Sequence, residues 1–103
     1  MHATIRRYEG VDQRRAAELT SKVNGMLVPK LNELPGFQGY YLIDAGNGAF
    51  SSLGLFDTPE QGTESTSLVA AWIRAEKLES RVPNDPKITS GQVVANGSGI
   101  AGA

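Results

Sequence analysis

FQGYYLID (37–44), AGNG (45–48) and AFSSLGLF (49–56) follow one another without interruption. The two outer segments carry the aromatic and branched residues that suit a pleated, half-buried strand. Between them, Asn47-Gly48 accepts the positive φ that a tight hairpin demands. The stretch therefore predicts two antiparallel strands lying side by side, and the rest of the chain has to be arranged around them.

Upstream, Ala16, Leu19, Val23, Leu27, Leu31 and Leu34 recur at intervals of three and four, an amphipathic helix that Asp12 caps and Leu34-Pro35-Gly36 stops. Pro29 falls inside this stripe and removes the N–H that would meet the Gly25 carbonyl, so the helix is expected to bend without breaking. Before it, His2–Glu9 mixes branched, aromatic and charged residues and is punctuated by Gly10, which reads as a first strand. Downstream, Thr58, Pro59 and Gln61 form a capping-box pattern. Leu68, Ala71, Trp72, Ala75 and Leu78 supply the stripe of a second helix that ends near Glu79. Val82-Pro83-Asn84-Asp85-Pro86 interrupts regular structure, and Lys87–Ala95 reads as the last strand. Residues 1–95 are thus expected to form one domain, followed by a flexible glycine-rich tail over 96–103.

The order β-α-β-β-α-β is the split βαβ pattern of an α+β, ferredoxin-like fold: a four-stranded antiparallel sheet with both helices on one face. A bare face meeting water would show clean alternation of apolar and polar residues. Instead, Phe37, Tyr41 and Ile43 fall on one face of the second strand while Tyr40 and Leu42 fall on the other. In the third, Phe50 and Phe56 oppose Leu53 and Leu55. Both faces are apolar and two helices cover only one, so the second needs a copy of the same chain, a homodimer through the sheet face. A body of 103 residues buries only about two-thirds of its unfolded surface, so such a partner adds usefully to its core.

Ten Lys and Arg against eleven acids, a net charge of −1, leave no basic footprint, and nucleic acid is not an expected partner. The pairs Arg6-Arg7 and Arg14-Arg15 read as solvated surface charge. The absence of cysteine removes disulfides, thiolate metal sites and cysteine nucleophiles, and fits a cytoplasmic location. No secretory signal is evident and no apolar run approaches the roughly 18 residues of a membrane span, so no membrane partner is expected. His2 is the sole histidine and no metal-ligand spacing is present, so neither a metal nor a cofactor is expected. Gly97–Gly102 matches G-x-G-x-x-G, but no helix follows to hold a pyrophosphate, and the match is tail composition.

Tyr40, Tyr41, Phe50, Phe56 and Trp72 are candidates to line a cavity between sheet and helices, with a few polar groups to orient a ligand. The Trp72 indole needs an acceptor, for which Ser52, Ser90, Asn24 or a ligand carbonyl are the candidates. Gly39 and Gly54, inside strands, mark either room for a ligand or a bulge that helps the sheet curve.

The βαββαβ order, the Leu34-Pro35-Gly36-Phe37 helix stop and the aromatic strand Gly39-Tyr40-Tyr41-Leu42 resemble the dimeric α/β barrel superfamily. The likeness spans roughly residues 2–95 and is nearest to its antibiotic-biosynthesis-monooxygenase-like branch. That resemblance implies a cofactor-independent monooxygenase acting on a small aromatic, hydroquinone-type substrate whose own anion reacts with dioxygen in an apolar pocket. It implies Trp72, Asn24 and Tyr41 as catalytic candidates, with Tyr40, Phe50, Phe56 and Ser52 binding substrate. The lack of a later histidine weighs against haem degradation. A non-catalytic small-ligand-binding or structural dimer of the same fold is the alternative the residues leave open.

Overall fold

The computed structural model describes residues 1–79, Val82 and 84–97. Strand β1 (His2–Tyr8) leads through a 3₁₀ turn (Gln13–Arg15) into helix α1 (Ala16–Lys22), a π turn (Val23–Leu27) and helix α2 (Val28–Asn32). Strands β2 (Phe37–Gly46) and β3 (Ala49–Phe56), helix α3 (Pro59–Ala75) and β4 (Lys87–Gln92) complete the chain order. The strands form one antiparallel sheet ordered β2-β3-β1-β4, the ferredoxin-like α+β arrangement expected from the sequence. The last strand stops at Gln92 rather than Ala95. Of the glycine-rich tail, Asn96 and Gly97 are exposed and the remainder lies outside the described residues.

Local chemistry sets the boundaries. Asn47 and Gly48 take φ values of 54° and 78° at the hairpin. A Cβ on Gly48 would also lie 2.9 Å from the Val11 carbonyl oxygen, so the position is closed to side chains twice over. Asp12 Oδ1 accepts the Arg14 N–H at 3.0 Å to open the first helical segment. Thr58 and Gln61 make the reciprocal capping box, the Gln61 N–H donating to Thr58 Oγ1 at 3.3 Å and the Thr58 N–H to Gln61 Oε1 at 3.0 Å. Helix α3 ends at Ala75 instead of near Glu79 because Lys77 turns left-handed (φ 56°) and the Leu78 N–H reaches back to the Ile73 carbonyl at 2.9 Å. That stop drops Leu78 into the core, fully buried.

The bend expected at Pro29 takes the form of the π turn. The Val28 N–H bonds the Val23 carbonyl, one residue further back than in an α-helix. The wider turn ahead of Pro29 accommodates both the missing N–H and the crowding ring.

Leu19, Val23, Leu27 and Leu31 from the first helical segment, Val69 and Trp72 from α3, and Tyr8 and Phe50 from the sheet form one core. Each large apolar side chain buried there contributes roughly 1.5–3 kcal/mol. In β3 the alternation is complete: Phe50, Ser52, Gly54 and Phe56 lie beneath the helices, while Leu53 and Leu55 are half-buried on the other face. Phe37 departs from the expected side. A bulge between Phe37 and Gly39 shifts the register, and Phe37 joins the helix-covered face, its ring 5.6 Å from that of Phe56. The open face keeps a row Tyr41–Leu53–Ile5–Thr89 in register across the sheet, flanked by Ile43 and Leu55. Tyr41 is 60 %, Ile43 52 % and Ile5 41 % exposed.

The strand glycines serve the sheet rather than a ligand. Gly39 adjoins the bulge, and a Cβ on Gly54 would lie 3.0 Å from Phe56 Cε2. Gly54→Ala must push that ring out of a closed core, so we expect it to lower stability by roughly 1–3 kcal/mol. A denaturant titration checks this, the midpoint falling while the slope stays unchanged.

Candidate functional site

On the helix-covered face the row Leu42–Ser52–Arg6–Ile88 crosses all four strands. Its centre is Arg6, only 2 % exposed, which corrects the reading of the Arg6-Arg7 pair as surface charge. Successive strand residues face opposite ways, so Arg7 meets solvent and pairs with Glu9 at 3.1 Å while Arg6 goes beneath α3. Arg6 Nη2 donates to Ser65 Oγ and to Thr66 Oγ1, both at 2.8 Å. Both hydroxyls in turn donate to the Gly62 carbonyl, at 2.6 Å and 3.2 Å. No carboxylate among the described residues pairs with Arg6.

Beside this row, Tyr8, Tyr40, Phe50, Val69, Trp72 and residues of the first helical segment line a narrow void of about 40 Å³. Tyr8, Val69, Ile73 and Val82 wall this void and also a groove of about 490 Å³, which Arg6 and Thr66 line together with Ile88 of β4. The void admits nothing larger than a few waters or a diatomic gas, whereas the groove falls in the roughly 300–1,000 Å³ range of small-molecule sites.

Three buried polar atoms in this region lack a partner among the described residues: Arg6 Nε, Ser52 Oγ and Trp72 Nε1. Ser52 Oγ faces the Tyr40 hydroxyl without reaching hydrogen-bond geometry. All three can donate a proton and none is paired among the described residues, so a ligand atom that complements them is an acceptor.

Burial pushes the Tyr8 hydroxyl up to about 12, with Arg6 pulling it back less strongly, and raises that of Tyr40, against the neighbouring Ser52 hydroxyl and then Arg6. Burial also lowers the Arg6 guanidinium, against smaller contributions from the two tyrosines. At neutral pH the buried part of the site therefore holds Arg6 as a cation beside neutral phenols. Tyr8 binds its proton more tightly folded than unfolded, so its contribution is complete below about pH 10 and is lost as pH rises toward about 12. Between those limits we expect stability to fall by roughly 2–3 kcal/mol, at about 1.4 kcal/mol per unit. Tyr8→Phe should flatten that decline in alkaline unfolding followed by circular dichroism.

The candidate residues named from the sequence separate into groups. Tyr40, Phe50 and Trp72 meet at the void, with Ser52 next to Tyr40. Phe56 is fully buried but packs on Phe37, away from the void. Tyr41 lies on the opposite sheet face, since it follows Tyr40 in a strand. Asn24 is exposed within the π turn and does not reach the site, and neither it, Ser52 nor Ser90 accepts the Trp72 N–H. Arg6 and Tyr8 were missed. Their signal is parity: they share the face of Thr4 in a strand whose odd positions, Ala3 and Ile5, look more apolar.

No family model matches the chain, and no curated protein matches it. Solved structures do. An antibiotic biosynthesis monooxygenase superposes with a TM-score of 0.68 at 13 % identity, over 92 % of this chain and 100 % of its own. A monooxygenase from the ActVA-Orf6 gene of Streptomyces coelicolor, in complex with the ligand nanaomycin D, gives 0.66 at 17 % identity over 92 % of each chain. A mutant of MhuD with two manganese protoporphyrin IX molecules bound per active site gives 0.72 at 18 %, over 96 % and 100 %. At these identities the likeness is one of fold, and it is the antibiotic biosynthesis monooxygenase type of ferredoxin-like fold that the sequence pattern anticipated. A porphyrin does not fit the site described above: the void is about 40 Å³, and the sole histidine, His2, lines neither it nor the adjoining groove.

Proposed function

We propose that this chain is a cofactor-independent monooxygenase of small phenolic or hydroquinone-type compounds, working as a homodimer joined through its open sheet face. The observation that carries the reading is the set of buried, unpartnered donors on Arg6, Ser52 and Trp72 beside an apolar void that shares its wall with a ligand-sized groove. In this reading the aromatic ring occupies the groove and dioxygen the void. Arg6, which lines the groove, holds the substrate oxygen and favours its anion, Trp72 offers its N–H from the wall of the void where dioxygen sits, and the apolar walls keep water away. The anion's electron-rich ring carbon gives its electron pair to dioxygen, forming a carbon–oxygen bond. The resulting hydroperoxide loses water, taking the ring hydrogen with it, and one oxygen stays as a new quinone carbonyl. Substrate plus dioxygen gives quinone plus water, with no outside reductant.

The dimer rests on Ile5, Tyr41, Ile43 and Leu53, which a second copy would cover.

Oxygen uptake by the purified protein with a panel of hydroquinones tests the activity, and Trp72→Phe should slow it by about 10²-fold by removing one donor. Uptake no faster than the buffer blank abandons turnover. A second reading, binding without turnover, is favoured by the small size of the void, and a Trp72 fluorescence shift on ligand addition without product would support it.

A further inference from the structure

Strand β4 lies beyond the cover of α3, and all six of its residues are exposed. Beside the first turns of α3 this leaves a second cleft, of about 230 Å³, walled wholly by described residues. Its lining is polar and rich in hydroxyls: Thr4 of β1, Ser90 of β4, and Thr66 and Ser67 of α3, with the His2 ring at one side. Thr4 is only 2 % exposed, yet its hydroxyl makes no hydrogen bond among the described residues. A buried hydroxyl ordinarily has a partner, so one turned to a cleft and left unbonded marks a place for a ligand atom. A Cβ at Gly62 would lie 2.8 Å from Thr4 Oγ1 and 3.0 Å from His2 Cδ2, so glycine is what lets α3 approach β1 closely enough to wall the cleft.

Charge decides what such a cleft takes. No carboxylate lines it, and Glu60 and Glu64 of the same helix are exposed and stand outside the lining. Behind one wall lies the buried Arg6 guanidinium, whose Nη2 donates to Thr66 Oγ1 at 2.8 Å. The guanidinium need not touch a ligand to be felt, because screening is weak where it lies. A hydroxyl that accepts from a cation also becomes a stronger donor. The Thr66 O–H makes only a long bond, 3.2 Å, to a Gly62 carbonyl that Ser65 already holds at 2.6 Å, so it is the proton most readily turned to a ligand. We infer that this cleft binds a small oxyanion, such as inorganic phosphate or sulfate, through the hydroxyls of Thr4, Thr66, Ser67 and Ser90, with Arg6 supplying the charge from behind Thr66. The cleft meets the larger groove at Thr66 and Ile88, but the proposal does not depend on turnover of a phenol. A neutral sugar would find no carboxylate, amide or aromatic face in the lining.

The probes are inorganic phosphate, sulfate and, as the neutral control, glycerol, each titrated at fixed ionic strength while the backbone amide signals are followed by nuclear magnetic resonance. With either anion the signals of Thr4, Thr66, Ser67 and Ser90 should shift and saturate in the millimolar range, and glycerol should leave them in place. Thr4→Val keeps the side-chain shape and loses one donor to a charged ligand, so it should weaken binding about tenfold. Arg6→Met should weaken it by a similar factor, by removing the charge behind Thr66. Ser90→Asp, at an exposed strand position, brings a carboxylate into the cleft and should abolish saturation. Circular dichroism melts show which variants are folded. Shifts that grow in proportion to the anion without saturating overturn the site, as does wild-type affinity in folded Thr4→Val or in Ser90→Asp. Glycerol bound as tightly as phosphate overturns the anion preference, and wild-type affinity in folded Arg6→Met overturns the part given to Arg6.

Discussion

Arg6→Met should make the protein more stable, by roughly 1–4 kcal/mol, the range seen when buried ionic groups give way to apolar ones of similar size. Two features of the site set the sign. Among the described residues the guanidinium has no carboxylate to repay its desolvation, and its Nε has no acceptor. The hydroxyls it touches keep their own acceptor when it is gone, since Ser65 and Thr66 both donate to the Gly62 carbonyl. Removing Arg6 therefore strands no buried donor, the usual reason for a large loss. In a chain of this size each kcal/mol moves the melting midpoint by about 4–8 °C. A midpoint lower than the wild type's would show that Arg6 is a structural tie and not a strained functional group. A rise, together with slower oxygen uptake, would be the stability–activity trade expected of a site residue.

The second large effect concerns the open face. Leu53 stands at the middle of the row Tyr41–Leu53–Ile5–Thr89, so in the proposed dimer it would be covered by the partner's sheet. Leu53→Asp places an unpaired charge there, which should weaken association by about 3 kcal/mol or more, over a hundredfold in Kd. Sedimentation should then report the 11.0 kDa chain in place of a particle of twice that mass. The substitution leaves the helix-covered core untouched because Leu53 points away from it. A wild-type protein that already sediments as the single chain at micromolar concentration removes the dimer from the proposal.

The strands, the hairpin and the two helix starts were legible in the sequence because each rests on interactions between residues close in the chain. Asn47-Gly48 and the Thr58–Gln61 box need no tertiary information. The errors arose where distant parts of the chain decide. Phe37 changed faces because one bulge shifts the parity of a strand, and no composition rule marks where a bulge falls. The second helix overran its end because Lys77 adopts a conformation usually given to glycine. Asn24 was drawn toward the site by chemistry alone and is exposed within the π turn. Arg6 was hidden by its own type: an arginine in a strand is nearly always solvated, and only the register against Ser52 and the overlay of Ser65 show that this one is not.

The π turn also explains a regularity of the first helical segment. Leu19, Val23, Leu27 and Leu31 stand four apart, and all four are buried. In an ideal α-helix each step of four overshoots a full circle by about 40°, so three such steps would carry the last leucine roughly a third of the way round the axis. A turn holding more than four residues lags instead of overshooting. Placed between Val23 and Leu27, it cancels one advance with one delay, so Leu31 ends about 40° from Leu19 instead of a third of a turn away and stays on the sheet side. An unbroken four-residue cadence of apolar side chains ahead of a proline is then a phase record, written in the sequence, of a widened coil.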